Sequence, residues 1–257
     1  MIKLNEENRV EVIGIINQNP TLNLFYMGDL NAYGFDAEVC KYFGFFEEGK
    51  LKVLMLHYSD SFHVTGGELT DAQCQEIKDY IKDNAIFNLN FGSSHYQYLN
   101  KFVDDFKDET CTLSVYTPSV EMDIAGCEKL TTADVGEYYE VYGKVFEFER
   151  MEEKFTKDIE EGKIEAYFIR ENNEIVSVAA ATAFTDKAAM IVGVGTLEKC
   201  RNKGYATKCV KALCNDLYQR NMKGVLFFNN PAAGRIYHRL GFVDQEPYHL
   251  IRVNLPK

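Results

Sequence analysis

The sequence predicts an α/β (α+β) chain arranged as two lobes, residues 1–118 and 119–257. Three observations predict it. Strand-like runs alternate with helical ones along the chain. The order of these runs in the first half recurs in the second. With 46% hydrophobic and 26% charged residues over 257 positions, there is enough apolar material for a substantial core.

In the first half, "YFGFFEEGKLKVLMLHY" from Tyr42 reads as a hairpin around an acidic turn. A strand near Phe62–Thr65 follows, then a helix near Asp71–Asn84, a strand at Ile86–Leu89 and a helix near Tyr96–Phe102. Pro118 marks the division. In the second half, "SVEMDIA" alternates with Val120, Met122 and Ile124 on one face and predicts a short strand. Thr131 with Asp134 forms an approximate capping box ahead of Val135, Tyr138, Tyr142 and Val145 at helical spacing. "EAYFIRENNEIVSVAAATAF" predicts two strands joined at Asn172-Asn173, a hairpin turn. "AAMIVGVGT" is a third strand, in which Gly193 and Gly195 predict a bulge or a close approach to the backbone. Ala206, Cys209, Val210, Leu213, Cys214 and Leu217 fall on one helical face, so the two cysteines read as core. "GVLFF" predicts a buried strand, and Asn230 and Pro231 open a helix that ends at Gly241. Duplication explains the recurrence; chance repetition of common elements is the alternative.

The formal net charge is −11, and its distribution is uneven. Residues 1–120 hold 9 Lys and Arg against 18 Asp and Glu, whereas residues 121–257 hold 19 against 21. An anionic ligand therefore belongs to the second half, where "KCRNKGYATKCVKALC" gathers five positive charges and no negative one. The acidic balance argues against nucleic acid and anionic membranes as main partners. No apolar run approaches the ~18–20 residues of a membrane span. The opening "MIKLNEENRV" lacks a signal-peptide h-region, and a cytoplasmic location is the expectation. The seven cysteines and five histidines show no metal-ligand spacing, so neither a metal nor disulfides are expected.

"RNKGYA" leads directly into an amphipathic helix. A helix start offers unpaired N–H groups and about half a positive charge, and Gly204 permits a tight fold around a phosphate. Lys199, Arg201, Lys203 and Lys208 add attraction, and a pyrophosphate is the natural guest. The six-residue pattern is weak alone, but "NNPAAGRIYHRLGF" follows about 25 residues downstream. Together the two motifs closely resemble those of the GNAT superfamily of acetyl-CoA-dependent N-acetyltransferases, over roughly residues 119–257. Arg201, Gly204 and Ala206 meet the first motif. Asn230, Ala233, Tyr237, Gly241 and Phe242 meet the second.

The resemblance implies two GNAT-like lobes, each a mixed, mostly antiparallel sheet flanked by helices. The N-terminal lobe would have lost the cofactor. From hairpin tyrosine to later strand is 44 residues there (Tyr42 to Ile86), against 58 in the second half (Tyr167 to Val225), and its loop near Gly66–Asp71 is acidic. The resemblance also implies that Val194, Gly195 and Thr196 pair with the pantetheine arm of acetyl-CoA. Arg201, Asn202, Lys203, Gly204, Tyr205, Ala206 and Thr207 would surround the pyrophosphate, Asn230 would contact the cofactor from the opposite wall, and Tyr237 would protonate the departing thiolate. Periodicity by itself makes Tyr237 a core residue. For a base, Glu147 or Glu149 in "FEFERMEE" is the candidate; His238 is assigned no role. The implied activity is acetyl transfer to a primary amine of a small molecule or peptide by direct attack. The rival reading is a non-catalytic acyl-CoA sensor whose N-terminal lobe binds a ligand or partner. Oligomeric state is not legible.

Overall fold

A computed structural model describes residues 1–120, 122–146 and 152–254. The chain forms two compact units. Unit 1 comprises Met1–Leu113, Phe227–Asn229 and Asp244–Lys257; unit 2 comprises Ser114–Leu226 and Asn230–Val243.

Unit 1 begins with β1 (Ile2–Lys3), α1 (Arg9–Ile16) and α2 (Leu24–Tyr33), followed by β2 (Cys40–Glu47), β3 (Lys50–Tyr58) and β4 (Ser61–Gly66). Then come α3 (Asp71–Asp83), β5 (Asn88–Gly92), the short α4 (Ser93–Tyr96) and α5 (Leu99–Phe102), and β6 (Phe106–Tyr116), whose last three residues lie in unit 2. β2, β3 and β4 are antiparallel neighbours, and β5 runs parallel to β4. Glu48 and Gly49 turn β2 into β3 with φ of 48° and 73°, the left-handed pair a two-residue hairpin requires. Alternation along β3 builds the core. Val53 and Met55 join Ile77 and Ile81 of α3 on one face, while Leu54 and Leu56 join Val12 and Ile16 of α1 on the other.

Unit 2 holds β7 (Glu128–Lys129), α6 (Val135–Phe146), α7 (Glu152–Glu160), β8 (Glu165–Glu171), β9 (Glu174–Thr182) and β10 (Ala188–Thr196). It continues with α8 (Tyr205–Gln219), β11 (Lys223–Phe228), whose last two residues lie in unit 1, and α9 (Pro231–Leu240). β12 (Val243–Val253) is the last element. β7 to β10 are antiparallel in sequence order, and β11 runs parallel to β10. Asn172 and Asn173 adopt φ of 54° and 66° and join β8 to β9 as the amide pair predicts. Thr131 and Asp134 are hydrogen-bonded, the Thr131 hydroxyl donating to the carboxylate at 2.7 Å. One face of the sheet packs Tyr138 and Val141 of α6 against Phe168 and Val178. On α8, Cys209, Leu213, Cys214 and Leu217 are fully buried, and all seven cysteines are free thiols.

The order hairpin, antiparallel strand, helix, parallel strand is the same in both units. The C-terminal strand departs from the sequence division at residue 118. From Asp244 onward it belongs to unit 1, where Tyr248 to Arg252 pair antiparallel with β5.

Three local expectations are corrected. The strand at "SVEMDIA" does not form among its described residues. Instead the Asn215 side chain of α8 accepts from the Met122 N–H at 2.8 Å and donates to the Met122 carbonyl at 2.7 Å, doing a partner strand's work with one amide. The helix near Tyr96–Phe102 is split into α4 and α5, and β5 starts two residues later than its apolar run.

Candidate active site

β10 and β11 pair only from Ala188↔Lys223 to Met190↔Val225. Beyond that point the strands part, and a cleft of about 1000 Å³ opens in unit 2. That volume sits at the top of the range of ordinary small-molecule sites, ~300–1,000 Å³. One wall is the released edge of β10, with Val194, Gly195 and Thr196. The opposite wall is α9, with Asn230, Ala233, Ile236 and Tyr237. The floor is the loop and first turn at Arg201, Asn202, Gly204, Tyr205, Ala206 and Thr207.

The bulge predicted at the β10 glycines is present: Val192 faces Ala180, but Gly195 faces Val178, so β10 carries one extra residue. Gly193 takes φ of 60°. The close approach comes from α6. A Cβ on Gly193 would lie 2.6 Å from Tyr142, and one on Gly195 would lie 2.7 Å from Val145 and 3.1 Å from Phe146. The glycines are thus required by packing within unit 2, whatever binds the other side of the strand. Val145 and Phe146 also border the cleft.

At the floor, Asn202 (φ 65°) and Gly204 (φ 81°) are both left-handed, which folds the loop back onto the helix start. Gly204 is the N-cap of α8 and has no side chain to offer, so the first-turn N–H groups lack side-chain acceptors. α3, at the matching place in unit 1, is closed. Thr70 and Gln73 form a reciprocal capping box, and Asp71 in the first turn is bound to Lys101. β4 and β5 pair over only three positions, as β10 and β11 do. Past them, however, the Thr65 hydroxyl donates to the buried Asn23 side chain at 2.8 Å, and Leu22 packs over Gly92. Unit 1 fills its own gap.

The basic side chains around the loop are mostly engaged. Lys203 does not line the cleft and holds Glu171 at 2.6 Å; Lys199 lies 3.6 Å from Glu174. Lys208 donates to the Ala125 carbonyl, and Arg201 Nε donates to the Thr196 carbonyl at 3.3 Å. An anion at the floor therefore meets backbone amides before it meets lysine.

On the α9 wall, Asn230 caps the helix, its Oδ1 accepting from the Ala232 N–H at 2.9 Å, which leaves the amide NH2 for a ligand. Tyr237 is both buried (6% exposed) and part of the lining, and burial pushes its phenol up to about 12. It stays protonated across neutral pH, as a proton donor must. Sequence reasoning missed Arg235 and Arg239, which line the cleft from exposed positions; their i, i+4 spacing on a capped helix was the available signal. His238, assigned no role from the sequence, also borders the cleft. No carboxylate lines the cleft among the described residues. Glu147 and Glu149 lie outside the described residues, so the structure assigns them no place. Among the described residues no group of His, Cys, Asp and Glu could hold a metal, and no helix is long and apolar enough to cross a membrane.

Residues 165–251 match the family model described as GNAT acetyltransferase. No curated protein matches the chain. Among solved structures, a Drosophila protein superposes with a TM-score of 0.71 at 9% identity, covering 98% of this chain and 97% of that one. A GNAT-family acetyltransferase from Colwellia psychrerythraea gives 0.61 at 12% identity and 98% of both chains. A GCN5-related N-acetyltransferase from Kribbella flavida gives 0.60 at 16% identity, with 79% and 87% covered. The chain therefore has the fold of the GNAT acetyltransferase superfamily.

Proposed function

We propose that the protein is an N-acetyltransferase that moves the acetyl group of acetyl-CoA to a primary amine of a small molecule or peptide by direct attack. The observation that carries this reading is the uncapped start of α8, opening into a cleft between the released edge of β10 and Tyr237. Amides from Arg201 to Thr207 hold the diphosphate, and residues 194–196 of β10 bind the pantetheine arm as an added strand. As the amine nitrogen bonds to the thioester carbon, an N–H of that stretch stabilises the charge growing on the carbonyl oxygen. The C–S bond then breaks, Tyr237 gives its proton to the thiolate, and the amine's surplus proton leaves the site. Cys200 borders the cleft, yet among the described residues no histidine is hydrogen-bonded to it, so a covalent route lacks support.

In the same reading residues 1–118 are a degenerate GNAT-like lobe. Support comes from the shared element order, the capped α3 and the gap filled by Leu22 and Asn23. The absence of a carboxylate among the described lining residues favours a second reading, a sensor that binds acyl-CoA without turnover. Thiol release from acetyl-CoA with a panel of primary amines separates the two. Release above the amine-free rate supports the enzyme; tight CoA binding with no release on any amine supports the sensor.

A further inference from the structure

The α9 wall carries a feature that acetyl transfer does not use. Arg235 and Arg239 stand one helical turn apart, so their side chains leave the same side of α9, and both line the cleft. Both are exposed, and neither makes a hydrogen bond or ion pair with any described residue. They contrast with Lys199, Lys203, Lys208 and Arg201, which are engaged elsewhere.

The cleft thus holds two kinds of anion receptor. The amides at α8 are neutral donors suited to a diphosphate diester, whose two charges are spread along the chain. A pair of guanidinium groups suits a phosphate monoester, which is compact, nearly dianionic at neutral pH and matched to a planar donor fork. Coenzyme A carries one of each: the diphosphate bridge and the monoester on the ribose 3′ oxygen. We infer that Arg235 and Arg239 form a second anion subsite of the cleft that receives the 3′-phosphate of coenzyme A. This rests on the acetyl-CoA reading and adds to it the part of the cofactor that α9 recognises. The subsite selects coenzyme A over nucleotides that carry only a diphosphate bridge.

The test is calorimetric titration of the full chain with coenzyme A and with 3′-dephospho-coenzyme A, using the wild type and the Arg235→Gln/Arg239→Gln double variant. Both arginines are exposed and unpaired, so thermal unfolding should be unchanged. The wild type should prefer coenzyme A by about tenfold, the scale of a partly screened charge-assisted contact. The preference should shrink on raising salt from about 0.05 to 0.5 M. The double variant should lose the preference by weakening on coenzyme A alone. Equal wild-type affinities for the two ligands overturn the subsite while leaving the diphosphate site standing. A double variant that weakens equally on both also overturns it. Failure of the wild type to bind either ligand overturns the acetyl-CoA reading itself.

Discussion

Replacing Gly204 by Asp tests the proposed diphosphate site at its most sensitive point. A Cβ at this position meets no atom within 4 Å, so the substitution is not blocked sterically. The left-handed backbone, φ 81°, costs a side chain about 1 kcal/mol, and Asp and Asn bear it better than most. Gly204→Asn shares that cost and nearly the same shape, so comparing the two variants isolates one charge. A carboxylate about 5 Å from a diphosphate is repelled by roughly 1–3 kcal/mol per phosphate charge at effective dielectric constants between water and protein surface. Gly204 is exposed, which favours the lower end. The expected difference between Asp and Asn variants is therefore about 2 kcal/mol, some 30-fold in CoA affinity, and it should fall at high salt. Calorimetric titration with CoA measures it, with thermal unfolding as the control on fold. An Asp variant that binds CoA as tightly as the Asn variant would falsify the assignment of the diphosphate to α8.

Tyr237→Phe should lower the turnover number by about 10²-fold or more while CoA affinity stays within about twofold. Because burial holds the phenol at about 12, the wild-type rate should show no alkaline loss from this group below roughly pH 10. If the main loss in Tyr237→Phe is in unfolding temperature, the residue is only core. His63 in unit 1 is fully buried against Asn90 and Tyr248 and is pushed down to about 3 by desolvation. Below its unfolded value of about 6.5 the unfolded chain gains a proton that the folded chain refuses. Stability should therefore fall with pH between about 6.5 and 3, by up to ~1.4 kcal/mol per unit for this one group. Urea unfolding at several pH values should show a flatter slope in His63→Gln, and an unchanged slope removes His63 from the account. Gly193→Ala should cost about 2–3 kcal/mol, from its positive φ and the clash with Tyr142. In a Tyr142→Ala background the clash should vanish and about 1 kcal/mol of backbone strain remain; no recovery there would mean that Tyr142 is not what demands the glycine.

Much of unit 2 was legible because its signals are local. The Asn172-Asn173 turn, the apolar face of α8 and the Asn230-Pro231 start of α9 each depend on neighbours within one or two turns. α1 and α2 gave no signal. "RVEVIGII" has apolar residues on nearly every side, so no 3.6-residue period stands out, although Val12, Ile15 and Ile16 alone are buried. β12 could not be assigned to unit 1 because strand pairing is a long-range choice: Tyr248 finds Gly92 across more than 150 residues of chain.

The sequence by itself determined where the glycine-led, uncapped helix start lies. A glycine ahead of an amphipathic helix, with basic residues around it, is a backbone property that needs no distant partner. Only the tertiary structure decided which groups line the cleft above it. It turned Lys203 away to Glu171, brought Arg235 and Arg239 to the cleft wall, and explained Gly193 and Gly195 by the side chains of α6. The physical reason is range: hydrogen bonding at a helix start is set within four residues, whereas ion pairing and packing are settled by whichever elements the fold brings alongside.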